Sequence, residues 1–232
     1  MKNAPSCSKV SDRAVQCPCC KGFHVIKNGF TKTGKQQYCC KSCQKRFLAC
    51  YTYHAYEQGI DRDIISLTKE GMGIRSTARF LKISAGTLLS RIVLIAESIT
   101  PPAVPSGKTY EVDEMQTFIK KKDKRVWLIY ALDRHTKNIP CFNIGTRTNK
   151  NLNFVLKTLQ NSQAKRIYTD SLKNYKSLIA KKIHKVTNSG TNHIERKNLT
   201  VRTHLKRLSR KTICFTKSFV ILVCILKIYF WG

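Results

Sequence analysis

Acid is scarce in this sequence. Its 232 residues hold 13 Asp and Glu against 43 Lys and Arg, a formal net charge of +30. After Arg134 only Asp170 and Glu195 remain, with 24 residues between them, in a stretch that carries 20 Lys and Arg. Such a chain is suited to lie against polyanions, where further carboxylates would repel the phosphates. Long apolar runs are missing as well. The opening MKNAPSCSKVSDR has no apolar core of the kind a signal peptide needs. The run at 219–226 is broken by Lys227 and is too short to span a bilayer, so a buried helix or strand is expected there and no membrane partner. A complete set of disulfides is excluded because eleven cysteines is an odd number; seven of them crowd between Cys17 and Cys50. A reducing, cytoplasmic setting is expected. A ribosomal or histone-like role would fit the charge, but such chains rarely need 42% hydrophobic residues. That proportion is enough for a real core, and the length suits one medium domain with one or two small ones.

Two carboxylates kept in so basic a segment call for a reason. They can hold a divalent cation against phosphate oxygens, or they can pair with neighbouring Lys and Arg. Their placement alone leaves both readings open.

The cysteines are more specific. Cys17-Pro18-Cys19-Cys20 and Cys40-Lys41-Ser42-Cys43 are two CxxC knuckles with 19 residues between them. A two-residue gap lets both sulfurs of one turn face one ion, so the spacing selects Cys17, Cys20, Cys40 and Cys43 for one tetrahedral Zn²⁺. Four thiolates leave no open position, which makes the zinc structural. Asn28-Gly29 is read as a hairpin turn and Gly34 as a second, bringing the distant knuckles together. A zinc ribbon is expected over residues 14–50.

From Asp61 the apolar spacing becomes helical, with Ile64, Ile65 and Leu67 before a break at Gly71-Met72-Gly73. Residues 74–81 read as a short helix and 82–84 as a turn. Ser84 is then a good N-cap for a helix over 85–95. Ala78 fits a close helix crossing, and Ile83 is placed to plug the turn. This predicts a helix-turn-helix region over residues 57–99, with Arg75 and Arg79 facing DNA and Thr87, Ser90 and Arg91 available to base edges. Three prolines and a glycine at 100–108 predict a semi-rigid linker.

The last part, 109–232, alternates strand-like and helical patterns. Three strand-like runs at 109–115, 125–132 and 139–144 are followed by a helical period at Leu152, Val155, Leu156 and Leu159. A short strand ends at Asp170, a fifth is placed at 181–187, and 192–210 reads as a helix. That order is the ribonuclease-H-like one. The expected fold class is therefore α/β: a mixed sheet flanked by helices in the C-terminal half, preceded by a small zinc ribbon and an all-α helix-turn-helix. Pairing of the first and fourth strands brings Asp113 near Asp170, and the late helix lays Glu195 across the same edge.

The chain from the first knuckle to about Ser218 resembles the transposases of the insertion sequence 1 family. The resemblance rests on the Cys17 to Cys43 ribbon, Thr77-Ala78-Arg79, Val112-Asp113-Glu114-Met115 and Tyr168-Thr169-Asp170. Its strongest stretch is Ile194-Glu195-Arg196-x-Asn198-Leu199, continuing through Arg202, Leu205, Arg207-Leu208-x-Arg210-Lys211 and Phe215-x-Lys217-Ser218. The gap from Asp170 to Glu195 is similar to that family's catalytic spacing. Beyond Ser218 the chain departs from the resemblance, being more apolar and less charged.

The resemblance implies a DNA transposase whose Asp113, Asp170 and Glu195 hold two Mg²⁺ for strand cleavage and 3′-hydroxyl strand transfer, with Mn²⁺ able to substitute. It assigns the metal to Asp113 and not to the adjacent Glu114, which should point to the other side of its strand. Double-stranded DNA, at the element ends and at the target, is the implied partner. A homodimer or higher oligomer is expected in the DNA complex. The implied setting is the bacterial or archaeal cytoplasm, in association with the nucleoid. Arg196, Lys197, Arg202, Lys206, Arg207, Arg210 and Lys211 form one basic helix face beside the carboxylates. Tyr168 and Tyr175 are read as packing residues, and His193 and His204 as phosphate or packing contacts. A regulator that binds specific DNA through its zinc ribbon and helix-turn-helix without catalysis is the main rival. A resolvase-like nuclease acting on branched DNA is a third reading.

Overall fold

The computed structural model describes residues 15–49, 55, 57–187, 190–209 and 211–232. The chain divides into two units, Met1–Tyr56 and Glu57–Gly232.

In the first unit β1 (Val25–Phe30), β2 (Gln36–Cys40) and β3 (Arg46–Leu48) form an antiparallel meander. Asn28-Gly29 is not the hairpin turn. It lies inside β1 as a bulge, with Gly29 at φ 71° and a register shift between Lys27 and Phe30. The chain reverses at residues 31–35 instead. There the Thr31 hydroxyl accepts the Lys35 amide at 3.0 Å, and Gly34 takes φ 75°. Cys17, Cys40 and Phe47 make up the small buried core, flanked by Val15, Val25 and Tyr38. So little apolar burial cannot offset the entropy of ordering the unit, which therefore depends on a further cross-link.

The second unit opens with three helices, α1 (Ile60–Lys69), α2 (Ile74–Phe80) and α3 (Ala85–Ser98). Ser84 caps α3 as its spacing predicts, its hydroxyl accepting the Thr87 amide at 3.0 Å. Ala78 is buried at the crossing and Ile83 in the turn.

The five-stranded sheet then forms from β4 (Thr109–Ile119), β5 (Lys121–Asp133), β6 (Phe142–Gly145), β7 (Arg166–Thr169) and β8 (His184–Val186), in the order β6-β5-β4-β7-β8. The first three strands are antiparallel, and β7 and β8 run parallel to β4. This is the ribonuclease-H-like arrangement. Helix α4 (Asn149–Asn161) buries Leu152, Val155, Leu156 and Leu159 against Tyr110, Val112, Ile129 and Ala131 of the sheet. Burial of each such leucine stabilises the unit by about 1.5–3 kcal/mol. A short helix, α5 (Lys173–Leu178), sits between β7 and β8 and closes the same core with Tyr175.

The late helix ends earlier than the sequence pattern predicts. Helix α6 (Asn192–His204) stops at His204; Leu205 leaves helical geometry (φ −91°, ψ 81°) and a 3₁₀ turn covers Lys206–Leu208. The break lets Leu205 and Leu208 both enter the core. It also abuts the turn after α1. A Cβ on Gly71 would lie 2.0 Å from the His204 carbonyl oxygen, so only glycine fits there.

The apolar tail is a helix, α7 (Phe219–Trp231), packed on α1 and α3. Lys227 Nζ donates to the Ala96 carbonyl at 2.7 Å. At its far end Phe230 stacks on Tyr130, and Trp231 Nε1 donates to the Ile139 carbonyl at 2.7 Å. A helix apolar on nearly all sides is one buried on nearly all sides. The composition of the tail thus follows from its place between α1, α3 and the sheet. Among the described residues no helix is long and apolar enough to cross a membrane.

Candidate active site and nucleic-acid contacts

Parallel pairing of β4 with β7 matches Glu111 to Tyr168, so Asp170, just past β7, emerges beside Asp113 on β4. Carboxylate oxygens of Asp113, Glu114 and Asp170 all lie within 4.8 Å of one another. The presence of Glu114 corrects the expectation that it points away from Asp113. It does leave its strand on the opposite face, toward Arg147, which it meets at 3.3 Å. Its side chain still carries an oxygen into the acidic group. Glu195 stands outside this group of three. It lies in the first turn of α6, exposed, and accepts the Thr191 hydroxyl at 2.9 Å.

The electrostatics follow from this crowding. Burial raises the Asp113 carboxyl above its usual range; the Glu114 amide and the Asn198 amide group oppose that, and the charges of Asp170 and Glu195 add to it. Burial likewise raises Glu114, against the Arg147 guanidinium. Oxygen donors held this close, with a raised acid among them, suit a hard divalent cation.

Sequence reasoning missed the residues that hold the site in shape. Asn198 donates its amide to Asp113 Oδ2 at 2.6 Å, and its own oxygen accepts the Tyr130 hydroxyl at 2.7 Å. Glu111 is fully buried. One of its oxygens meets Arg134 Nε at 2.9 Å and His193 Nδ1 at 2.7 Å, and the other accepts the Ile194 amide at 2.9 Å. Glu111 and Asn198 thus pin α6 to β4 on either side of Glu195. The signal was there: Glu111 is two residues before Asp113, hence on the same strand face, and Asn198 is one helical turn past Glu195.

Tyr175 is buried in the core, where burial raises its hydroxyl well above the ordinary value; Tyr168 lies under the Arg134 guanidinium at 4.3 Å. Both are packing residues. His193 is held by Glu111, and His204 lies 2.8 Å from the Tyr229 hydroxyl.

The candidate DNA contacts divide. Arg75, Arg79 and Ser90 are exposed, while Thr87 is half-buried with its hydroxyl 2.8 Å from that of Ser84. Arg91 is in an ion pair with Asp61 at 2.9 Å. The expected single basic helix face does not form, because α6 ends before Lys206. Arg196, Lys206 and Lys211 are exposed, Lys197 is half-buried, and Arg202 and Arg207 turn inward. Burial lowers both the Lys197 and the Arg207 side chains. Arg210 lies outside the described residues.

In the first unit the sulfurs of Cys17, Cys20, Cys40 and Cys43 lie within 4.8 Å of one another. Cys17 and Cys43 are 3.6 Å apart, and Cys20 and Cys40 are 3.5 Å apart. Four thiolates at Zn–S of about 2.3 Å stand about 3.8 Å apart, so the cluster fits one tetrahedral ion. The Cys43 amide, the largest influence on Cys40, helps lower that thiol, while Cys43, against the Lys45 amide, is raised by burial and the neighbouring sulfurs, as in a crowd of thiols sharing their protons.

The chain is similar to known proteins over two stretches. The family described as IS1 transposase matches residues 108–230, and the family described as InsA C-terminal domain matches residues 51–92. The first match continues past Ser218 to residue 230, within α7. The insertion element iso-IS1n protein InsB of Shigella dysenteriae is 35% identical over 108 residues, 47% of this chain and 82% of that protein. The insertion element IS1 2 protein InsB of Escherichia coli (strain K12) is also 35% identical, over 47% of this chain and 65% of that protein. Among solved structures, the simian T-cell lymphotropic virus intasome in complex with PP2A regulatory subunit B56 gamma is similar at 12% identity and a TM-score of 0.38. That match covers 70% of this chain and 66% of that one, and the likeness is too slight to argue from.

Proposed function

The chain belongs to the IS1 transposase family, and on that premise we propose that it binds the terminal repeats of a mobile element, cleaves the strand there and joins the freed 3′-hydroxyl to target DNA. The observation that carries this reading is the acidic group itself. Asp113 and Asp170, from strands far apart in sequence, bring oxygens within 4.8 Å on a chain otherwise short of acid. Salt-bridge pairing explains Glu114, which has Arg147, but among the described residues no ion pair involves Asp113 or Asp170.

Asp113, Asp170 and Glu195 would hold two divalent ions, Mg²⁺ or Mn²⁺, with Glu114 close enough to share in that role. Such ions supply Lewis acidity at the attacking and leaving oxygens of phosphoryl transfer. The protein's part is positioning. Asn198 fixes the orientation of Asp113, and the Leu172 amide donates to Asp170 Oδ1 at 3.0 Å, holding the loop after β7. Glu111 sets the start of α6 and with it the approach of Glu195. Arg196, Lys206 and Lys211 are exposed cations available to DNA phosphates.

In this reading one Zn²⁺ on Cys17, Cys20, Cys40 and Cys43 folds a ribbon over residues 14–50. A helix-turn-helix region at 57–99 reads the element ends, 100–108 is a linker and 109–232 is catalytic. The protein acts as a dimer or higher oligomer on DNA, in the cytoplasm at the nucleoid.

The test is incubation of the full chain with DNA carrying its element's ends and Mg²⁺, scored for nicked ends and joined products. Asp113→Asn, Asp170→Asn and Glu195→Gln should each abolish both products and leave DNA binding intact. Specific binding of the ends without any cleavage would favour the non-catalytic regulator instead.

A further inference from the structure

The β4–β5 hairpin runs well past the sheet. Strand β7 pairs only with residues 109–111 of β4, and β6 only with residues 127–130 of β5. The outer half is therefore a two-stranded ribbon, turned at Lys120 with φ 63°. Its tip reads Lys120-Lys121-Lys122-Asp123-Lys124-Arg125, and all six side chains are exposed. Among the described residues none of these cations makes an ion pair. Like charges this dense repel one another unless a polyanion lies against them.

The ribbon is also braced. The Lys120 amide donates to the Thr216 carbonyl at 2.9 Å, and Phe118 and Phe215 have ring centres 6.0 Å apart. Lysines that merely guard a strand edge against pairing need no such support at the turn. Ile119 is six residue steps beyond Asp113 on β4, so the tip stands about 20 Å from the acidic group along one strand.

From these facts we propose that the hairpin tip, Lys120 to Arg125, is a phosphate-binding rail for duplex DNA, holding the backbone about six nucleotides from the reacting phosphate at about 3.4 Å per nucleotide. The contacts are to backbone alone, since exposed lysines on a ribbon edge carry no base-reading geometry. The rail grips any sequence and fixes how the duplex lies across the carboxylates. The proposal rests on the reading of the chain as a DNA-joining enzyme.

The experiment compares the full chain with a Lys121→Gln, Lys122→Gln, Lys124→Gln triple variant in salt-dependent binding to element-end and random duplexes. A control triple, Lys108→Gln, Lys157→Gln, Lys165→Gln, removes the same charge outside the hairpin, before β4, on α4 and before β7. The hairpin variant should lose about 0.9 in the slope of log K against log salt for each phosphate contact removed, up to about 2.7 in all, equally on both duplexes. The control should keep the parental slope. Trimming the duplex to fewer than about six nucleotides beyond the cleavage point should weaken the parent and leave the hairpin variant unchanged. A hairpin variant with the parental slope, a control with the same loss, or a loss confined to element-end DNA overturns the rail. If the parent itself shows no salt-dependent DNA binding, the transposase reading falls with it. Normal cleavage and binding by the parent beside an unchanged variant slope overturns the rail alone.

Discussion

Replacing Glu111 with Gln is the most informative single change outside the acidic group. The side chain is fully buried and answers three donors, from Arg134, His193 and the Ile194 amide. Glutamine keeps the shape but not the charge, and one of its two acceptor positions becomes a donor. Removing one partner of a buried ion pair costs about 3–5 kcal/mol, because the other charge is left in a poor solvent. Arg134 is 28% exposed and its guanidinium also lies over the Tyr168 ring, so water and the ring soften that loss. A cost of about 2–3 kcal/mol is the reasonable expectation once solvent screening is allowed for. At about 2–4 °C per kcal/mol for a unit of this size, the Tm should fall by about 5–10 °C. Function should suffer more than stability at the assay temperature. His193 and Ile194 directly precede Glu195, so a loosened helix start misplaces that carboxylate while leaving the DNA-binding surfaces alone. Thermal unfolding followed by circular dichroism, with single-turnover strand joining on a pre-bound duplex, reads both effects. A double variant, Glu111→Leu with Arg134→Met, should recover much of the Tm and none of the joining. A Glu111→Gln protein that melts within about 1 °C of the parent would refute the reasoning, since that shift corresponds to less than 1 kcal/mol.

Three further outcomes are expected. Chelation of zinc, or Ser at any one of Cys17, Cys20, Cys40 and Cys43, should unfold the first unit and leave the melting of residues 57–232 unchanged; limited proteolysis that still protects the ribbon after chelation would contradict this. Burial raises the carboxyls of Asp113 and Glu114, so they stabilise the metal-free fold below their unfolded pKa, near 4, and that contribution is lost as pH rises through the raised folded values. Mg²⁺ should therefore raise the Tm more at about pH 7 than at about pH 4.5, and an equal rise at both would contradict the assignment. Ending the chain after Ser218 should expose Ile92, Ile95 and Ala96 of α3 and unfold the three-helix region, which hydrogen exchange would register as lost protection there.

Much of the fold was legible because its signals are short-range. The CxxC gap picks out four cysteines whose sulfurs the chain does bring together. The helical spacing of Leu152, Val155, Leu156 and Leu159 is the buried stripe of α4. Ser84 caps α3 by a bond to a residue three positions on. The misses have physical causes of the same kind. Asn28-Gly29 meets the preference of a two-residue turn, yet Gly29 serves equally well in a bulge, and the choice lay with pairing to β2. The lysine-rich tip of the β4–β5 hairpin reads as a loop by composition, because a ribbon with both faces in water shows no alternation.

Sequence alone determined the chemical inventory: the zinc-spaced thiolates, the helical periods, and the two late acids set in a basic field. Tertiary structure decided which of those groups meet. The parallel register of β4 against β7 places Asp170 beside Asp113, and the reach of a glutamate brings Glu114 into their company. Glu111 became the anchor of α6 only because residues 82 and 83 positions away fold onto its strand face. The tail, unremarkable as an apolar run, became the helix joining two parts of one unit. The reason is one of range. A chelating pair or a helical stripe is set within a turn or two of chain, where bond geometry fixes the distances. A contact between residues far apart in sequence depends on strand register and helix docking, which only the packed whole selects.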